Sequence, residues 1–321
     1  MTKSTFTAEF LLVIVIASAC SGTTPKQSSA AAGVVSSQAN KNDEKRQREL
    51  TKTLEWIAAE AQGRAGVAAR VSETGEHAEL SADEHFPMHR VYKLPISMAV
   101  LRRVDAKELA LDQKVDVTKS DFVRPGMYSP IRDKNPNGTS LTISELLHYA
   151  VSESDGTASD VLMKLAGGPA AVMRFLKEIQ VTGINVVNSE NEIGRDWQTQ
   201  YENWATPRAA LDLLTALDKS NGISTNNRQL LLKLMSDSIP GAQRLKGQLP
   251  AGTVVAHKTG TGGTRNGITS ATNDIGIITL PDGRHLFVAV FISDSKADLA
   301  TREAVIAKIA KALWDQWATP K

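Results

Sequence analysis

The chain has 321 residues, 41% of them apolar and 22% charged, and its 37 lysines and arginines nearly balance 35 aspartates and glutamates. This composition excludes wholesale disorder, a long coiled coil and a polytopic membrane protein. A formal charge of +2 gives no field that argues for nucleic acid, and a single cysteine excludes an internal disulfide and a cysteine metal cage.

The first residues read as an address. Lys3 precedes an unbroken apolar run, Phe10 to Ile16, followed by the small residues Ala17-Ser18-Ala19. A spanning helix needs about 20 apolar residues; the shorter run fits the h-region of a signal peptide over residues 1–19. Ala17-Ser18-Ala19-Cys20 resembles a bacterial lipoprotein lipobox, although leucine is usual where Ala17 stands. That resemblance implies lipidation at Cys20, a membrane anchor and a periplasmic location. An ordinary secretory signal with Cys20 nearby is the alternative, and both readings export the protein. Residues 20–42 are rich in Ser, Ala, Gly, Thr and Gln and read as a flexible tether.

The folded part is expected over residues 43–321. Leu50, Leu54, Ile57, Ala58 and Ala61 recur at helical spacing between Asp43 and Gln62. Gly66–Val71 and Glu76–Leu80 read as strands joined at Thr74-Gly75. A helical stretch follows, opened by the apolar run Leu94–Val104. Within it, Thr142 and Glu145 have the spacing of a capping box, and Pro169 and Pro207 sit where first helical turns begin. Another helix is expected over Asn226–Met235. Strands then return at Val254–Ala256, Asn273–Leu280 and Leu286–Ile292, the last two joined by Pro281-Asp282-Gly283. Ala300–Trp317 closes as an amphipathic helix. This order predicts an α/β chain of α+β layers. Strands from both ends (about 43–87 and 240–321) form one antiparallel five-stranded sheet, and residues about 88–239 form an all-helical lobe.

Four segments carry candidate chemistry. His257-Lys258-Thr259-Gly260-Thr261-Gly262 follows a strand. Ser152-Glu153-Ser154-Asp155-Gly156 lies between two helices. Glu190 sits in the non-periodic stretch Asn188–Asn203. Phe86-Pro87-Met88-His89-Arg90-Val91-Tyr92-Lys93 opens an apolar helix. In this order the segments resemble the class A serine β-lactamases, whose motif set is S-x-x-K, S-D-N and K-T-G with a glutamate. The resemblance spans about residues 44–316. Phe86-Pro87-Met88, Leu165-Ala166-Gly167-Gly168, Gln200-Tyr201-Glu202-Asn203-Trp204 and Ala271-Thr272-Asn273-Asp274 look closest to the PER-type branch.

The resemblance implies the serine β-lactamase/penicillin-binding transpeptidase-like fold, and β-lactams as ligands of a monomer that needs no metal or cofactor. It gives Lys93 a part in proton transfer, Ser154 the protonation of the departing ring nitrogen, and Glu190 the activation of the deacylating water. Glu192 competes with Glu190 for that alignment. Lys258, Thr259, Gly260 and Thr261 would bind substrate, with the Thr261 N–H completing an oxyanion hole. Asp155 reads as a helix cap. Two glycines depart from the pattern: Gly156 replaces an asparagine that contacts substrate, and Gly194 replaces one that helps hold water.

The largest departure is Arg90. It stands three residues before Lys93, where the family has its nucleophilic serine. A guanidinium stays protonated, has donors only and cannot form an acyl ester. The expectation is therefore a class A scaffold with acylation disabled, and a bidentate Arg90–Glu190 pair as the compensation for a buried charge. Two alternatives remain at this stage. One is a protein that binds β-lactams or peptidoglycan fragments without covalent chemistry. The other is a hydrolase using another nucleophile, such as Ser154 or Ser293 in Ser293-Asp294-Ser295-Lys296, a segment the resemblance places on a surface connection. Ser97 reads as packing within its helix, and Pro87 between His85 and His89 argues against a shared helical face.

Overall fold

The computed structural model describes residues 45–319. The expected signal peptide, Cys20 and the tether over 20–42 lie outside the described residues.

Helix α1 covers residues 45–59. Its inward stripe, Leu50, Leu54 and Ile57, is buried as the spacing requires. Strands β1 (Arg64–Val71), β2 (His77–Leu80) and β3 (Phe86–Pro87) follow. A 3-10 turn, His89–Tyr92, runs directly into α2 (Lys93–Asp105). The next elements are β4 (Lys114–Val117), α3 (Pro130–Lys134), β5 (Thr139–Thr142), α4 (Ile143–Val151), α5 (Gly156–Ala166) and α6 (Pro169–Glu178). Then come β6 (Ile184–Asn185), α7 (Glu190–Ile193), β7 (Trp204–Ala205), α8 (Pro207–Asp218) and α9 (Thr225–Ser236). The chain ends with β8 (Val255–Thr261), β9 (Thr264–Arg265), β10 (Ile268–Thr279), β11 (His285–Ser295) and α10 (Leu299–Trp317).

Strands from both ends form one antiparallel sheet in the order β2-β1-β11-β10-β8. The five-stranded expectation is met along that path, and the two-residue β9 adds a sixth strand on β10. Two apolar clusters sandwich the sheet, and β11 shows why. Val288, Val290 and Ile292 face α1 and α10; Phe287, Ala289 and Phe291 face α2, α4, α5 and α8. A strand buried on both faces reads as a continuous apolar run, as β11 does over Leu286–Ile292.

The local signals behave as their chemistry dictates. Thr142 and Glu145 form a reciprocal capping box on α4, Pro169 and Pro207 open α6 and α8, and Asp155 caps α5 by accepting the Ala158 N–H at 2.9 Å. The stretch 88–239, expected to be an all-helical lobe, instead carries four short strands: β4 pairs with β5, and β7 pairs with β3 and β6, each too short to leave a period-two signal. Three strand ends also extend well beyond expectation. β8 continues through His257–Thr261, so the K-T-G residues lie within the strand. β10 begins five residues early, at Ile268. β11 extends to Ser295. These extensions are mostly polar, and ladder pairing holds them extended where apolar patterning gives no signal: the edge strand β8 against β10, and the early part of β10 against β9, β11 and β8. Ser293 is accordingly a fully buried strand residue paired with Ala271 and Arg64, which corrects the surface placement expected of it. Among the described residues no helix is long and apolar enough to cross a membrane.

Candidate active site

Arg90 sits in the 3-10 turn and Lys93 is the first residue of α2, so the two are one turn apart. The turn is pinned to the sheet: Asn273 on β10 donates through Nδ2 to the carbonyls of Pro87 (2.8 Å) and Met88 (3.2 Å). β8 packs against the same turn. A Cβ on Gly260 would lie 2.8 Å from the Met88 carbonyl and 3.4 Å from the Arg90 nitrogen, so only glycine permits this approach.

Lys93 is fully buried. Its Nζ donates to the backbone carbonyls of Ser154 (2.7 Å) and Asp155 (3.0 Å) and stands 3.5 Å from Glu190 Oε2. Burial lowers its pKa to about 8, with Arg90 adding to that effect and Glu190 opposing it.

Ser154 lies in the link between α4 and α5 with φ +63°, a left-handed conformation unusual for serine. Its Oγ accepts a 2.9 Å hydrogen bond from Lys258 Nζ. Burial, then Lys93 and Arg90, push the Lys258 pKa well below its ordinary value.

Glu190 opens α7, with both carboxylate oxygens engaged. Oε1 accepts from Arg90 Nε at 3.3 Å; Oε2 accepts from the Tyr92 hydroxyl and faces Lys93. The expected Arg90–Glu190 pair is therefore present but single-pronged, because Tyr92 and Lys93 already occupy the second oxygen. Burial alone would raise the Glu190 pKa; Lys93 and Arg90, aided by the Tyr92 hydroxyl, outweigh it and hold the group at about 2. Glu192 instead turns back to cap α7, accepting the Ser189 N–H at 2.8 Å.

The two departing glycines are crowded rather than open. A Cβ on Gly156 would lie 3.0 Å from Glu190 Cγ and 3.1 Å from the Tyr128 carbonyl. At Gly194 the Met127 sulfur lies 2.4 Å from where a Cβ would be. A thioether thus fills the space of a side chain at 194, and it is a poor partner for water.

Several site residues give little signal in the sequence. Asp160 on α5 accepts the backbone N–H groups of Glu190 (2.6 Å) and Asn191 (2.9 Å), anchoring the start of α7. Burial raises its pKa to about 7, opposed by the Asn191 N–H and reinforced by repulsion from Glu190. A lone aspartate directly before the apolar run Val161-Leu162-Met163 is the one available clue. Tyr92 reads as a core aromatic until its hydroxyl is placed. Arg244 is buried. It donates to the carbonyls of Gly260 and Asn273 (2.9 Å each), to Thr261 Oγ1 (2.7 Å) and to Glu303 (3.1 Å). Buried His89, with φ +46°, contacts Ser270 Oγ through Nε2 at 3.1 Å, and burial lowers its pKa to about 4.

His89, Arg90, Glu190 and Thr261 line a cavity of about 650 Å³ together with Asp196, Trp197, Gln200 and Arg265; Lys93, Ser154, Lys258 and Arg244 are buried and are not part of its wall. The arrangement joins a lysine and a glutamate at one side to a lysine–serine contact and an arginine-backed strand at the other. The cationic and hydroxyl donors suit an anionic ligand. His85 stacks on Trp204, and among the described residues no group of His, Cys, Asp and Glu is placed to hold a metal ion.

Comparison with known proteins agrees. The family model described as "Beta-lactamase enzyme family" matches residues 48–317. The chain is 43% identical to β-lactamase VEB-1 of Pseudomonas aeruginosa over 270 residues, covering 84% of this chain and 90% of that protein. It is 39% identical to the extended-spectrum β-lactamase PER-1 of the same organism, covering 82% and 85%. The crystal structure of a β-lactamase from Chitinophaga pinensis superposes with a TM-score of 0.81 at 43% identity, covering 83% of this chain and 98% of that one. The chain belongs to the class A β-lactamase family.

Proposed function

We propose that this chain is a class A scaffold that recognises β-lactams but does not hydrolyse them through an acyl-enzyme. One observation carries the reading: the residue three before Lys93 presents a guanidinium, bonded to Glu190, in place of a hydroxyl. An acyl-enzyme needs a nucleophile with a proton to lose and a base to take it. Here Lys93 has only carbonyls and Glu190 around its nitrogen, so it activates nothing. Glu190, which would activate the deacylating water, is bonded by Arg90 and Tyr92 instead.

The remaining roles follow the family pattern. Ser154, fed by Lys258, would protonate a leaving nitrogen. Lys258, Thr259 and Thr261 would hold the lactam carboxylate, with Arg244 supplying charge behind Thr261. This surviving anion subsite supports the second reading, non-covalent binding of β-lactams or peptidoglycan fragments. We also propose export through residues 1–19, lipidation at Cys20, and a tether over 20–42 holding a monomer at the periplasmic face of a membrane. Intact-mass analysis of the mature N-terminus tests that anchor.

The experiment that tests the function is hydrolysis of a chromogenic cephalosporin by the unchanged chain and by Arg90→Ser, side by side. Turnover by Arg90→Ser alone is expected, at a rate several orders of magnitude above the unchanged chain. Turnover by the unchanged chain overturns the reading.

A further inference from the structure

The Arg90 guanidinium is only partly used. Nε donates to Glu190, and the guanidinium lies over the Tyr128 ring, 5.6 Å from its centroid. Among the described residues neither Nη atom has a hydrogen-bond partner. The side chain is 23% exposed and lines the cavity. Glu190 cannot answer that charge alone. Its two oxygens are shared among Arg90, Tyr92 and Lys93, and one carboxylate faces two cationic side chains. Arg90 therefore presents an unspent, planar pair of donors to the cavity, held in place by the Tyr128 face.

The carboxylate subsite proposed above is close by. β8 touches the Arg90 turn at Gly260, and Thr261, next along that strand, lines the same cavity with Arg244 bonded to its hydroxyl. Two donor groups thus flank one cavity.

Intact benzylpenicillin carries one carboxylate, and its ring carbonyl is neutral. Hydrolysis adds water across the ring amide: the C–N bond breaks, the nitrogen gains a proton, and the carbonyl carbon becomes a second carboxylate. A carboxylate matches a guanidinium fork, whereas a neutral carbonyl gains much less from it. On the reading above, the carbon that changes is the one presented to residue 90.

We propose that this site binds the ring-opened dicarboxylate in preference to the intact lactam. The original carboxylate would rest on the Lys258–Thr261 strand and the new one on the free donors of Arg90. The reaction that supplies such a ligand is β-lactam amide hydrolysis carried out by another catalyst. This inference rests on the proposed function, because it needs a site that leaves lactams unconverted.

The test is isothermal titration of the full chain with benzylpenicillin and with the penicilloate obtained by opening its ring. About tenfold or tighter binding of the penicilloate is expected. Arg90→Ala should bring the two affinities together. Arg90→Lys, which keeps the charge but loses the fork, should give an intermediate ratio and serves if Arg90→Ala does not fold. Equal or tighter binding of the intact lactam overturns the proposal, as does a preference that survives in a folded Arg90→Ala. Turnover of a chromogenic cephalosporin by the unchanged chain is a different failure: it removes the underlying reading, whereas a non-hydrolysing protein without the preference removes only this inference.

Discussion

The Asp160 carboxylate receives the backbone N–H of Glu190 at 2.6 Å and that of Asn191 at 2.9 Å, so one buried acid on α5 fixes where α7 begins. Its partner in charge, Glu190, sits in the same buried space. The fold thus holds two acids together, and they titrate in opposite directions: Asp160 is raised to about 7 and Glu190 lowered to about 2.

That opposition gives the two acids opposite effects on stability as pH changes. Asp160, raised above its unfolded value, contributes stability that is fully present below about pH 4 and is lost as pH rises through about 7. Glu190, lowered, contributes stability present above about pH 4.5 and lost as pH falls toward 2. Buried His89, whose pKa is held down to about 4, adds stability as pH rises to about 6.5 and so opposes Asp160 there; the readout is therefore the difference, and the melting temperature of Asp160→Asn, which cannot ionise, should rise relative to that of the unchanged chain between pH 5 and 7. Asp160→Ala removes both acceptors and should cost about 1–3 kcal/mol. A constant difference between the two melting curves across that range would show that Asp160 does not titrate there.

How much of this was legible in the sequence depends on the kind of signal. Lys93, Ser154, Glu190 and Lys258 sit in short motifs whose order along the chain is informative, and the structure joins them by two hydrogen bonds and the Lys93–Glu190 ion pair. Asp160, Tyr92 and Arg244 are single residues. Each acts on a segment distant in sequence, so no local spacing reveals it; Tyr92 and Glu190 are 98 positions apart. The sheet was legible where strands are apolar on both faces, as in β11. It was missed at Ile268–Thr272, where burial follows from neighbouring strands rather than from composition.

Tyr92 tunes Glu190, and the sign can be worked out. Its hydroxyl is one of the groups that lower the Glu190 pKa, so Tyr92→Phe should raise that pKa. In an Arg90→Ser background that turns over substrate, the acid limb of the kcat profile should move to higher pH. The stability loss should be about 1.5–3 kcal/mol, the usual worth of a hydrogen bond to a charged group. A limb that stays in place would show that Glu190 does not control turnover.

Separating acylation from deacylation needs both positions changed. Arg90→Ser with Glu190→Gln restores a hydroxyl but removes the carboxylate that would activate water. Intact-mass spectrometry after incubation with a penicillin should find a persistent adduct of one ligand mass in the double variant, and none in the unchanged chain. No adduct in the double variant would mean that Glu190 also serves acylation, a role already in dispute for this family.

Gly260→Ala tests whether the close approach of β8 to the Arg90 turn is needed. The added methyl would lie 2.8 Å from the Met88 carbonyl, which is backbone and also accepts from Asn273 Nδ2 at 3.2 Å. It cannot swing aside like a side-chain tip. The strand and the turn must separate, and the loss should be about 1–3 kcal/mol, the usual cost of overpacking. Gly194→Ala supplies the contrast, because its nearest obstacle is the Met127 sulfur, close to the free end of a flexible chain. It should cost less than Gly260→Ala in a urea melt at equal m-value. If the two variants lose the same stability, the Met88 carbonyl yields as readily as a thioether, and the strand–turn contact is not the rigid element that sets Arg90 beside the K-T-G strand.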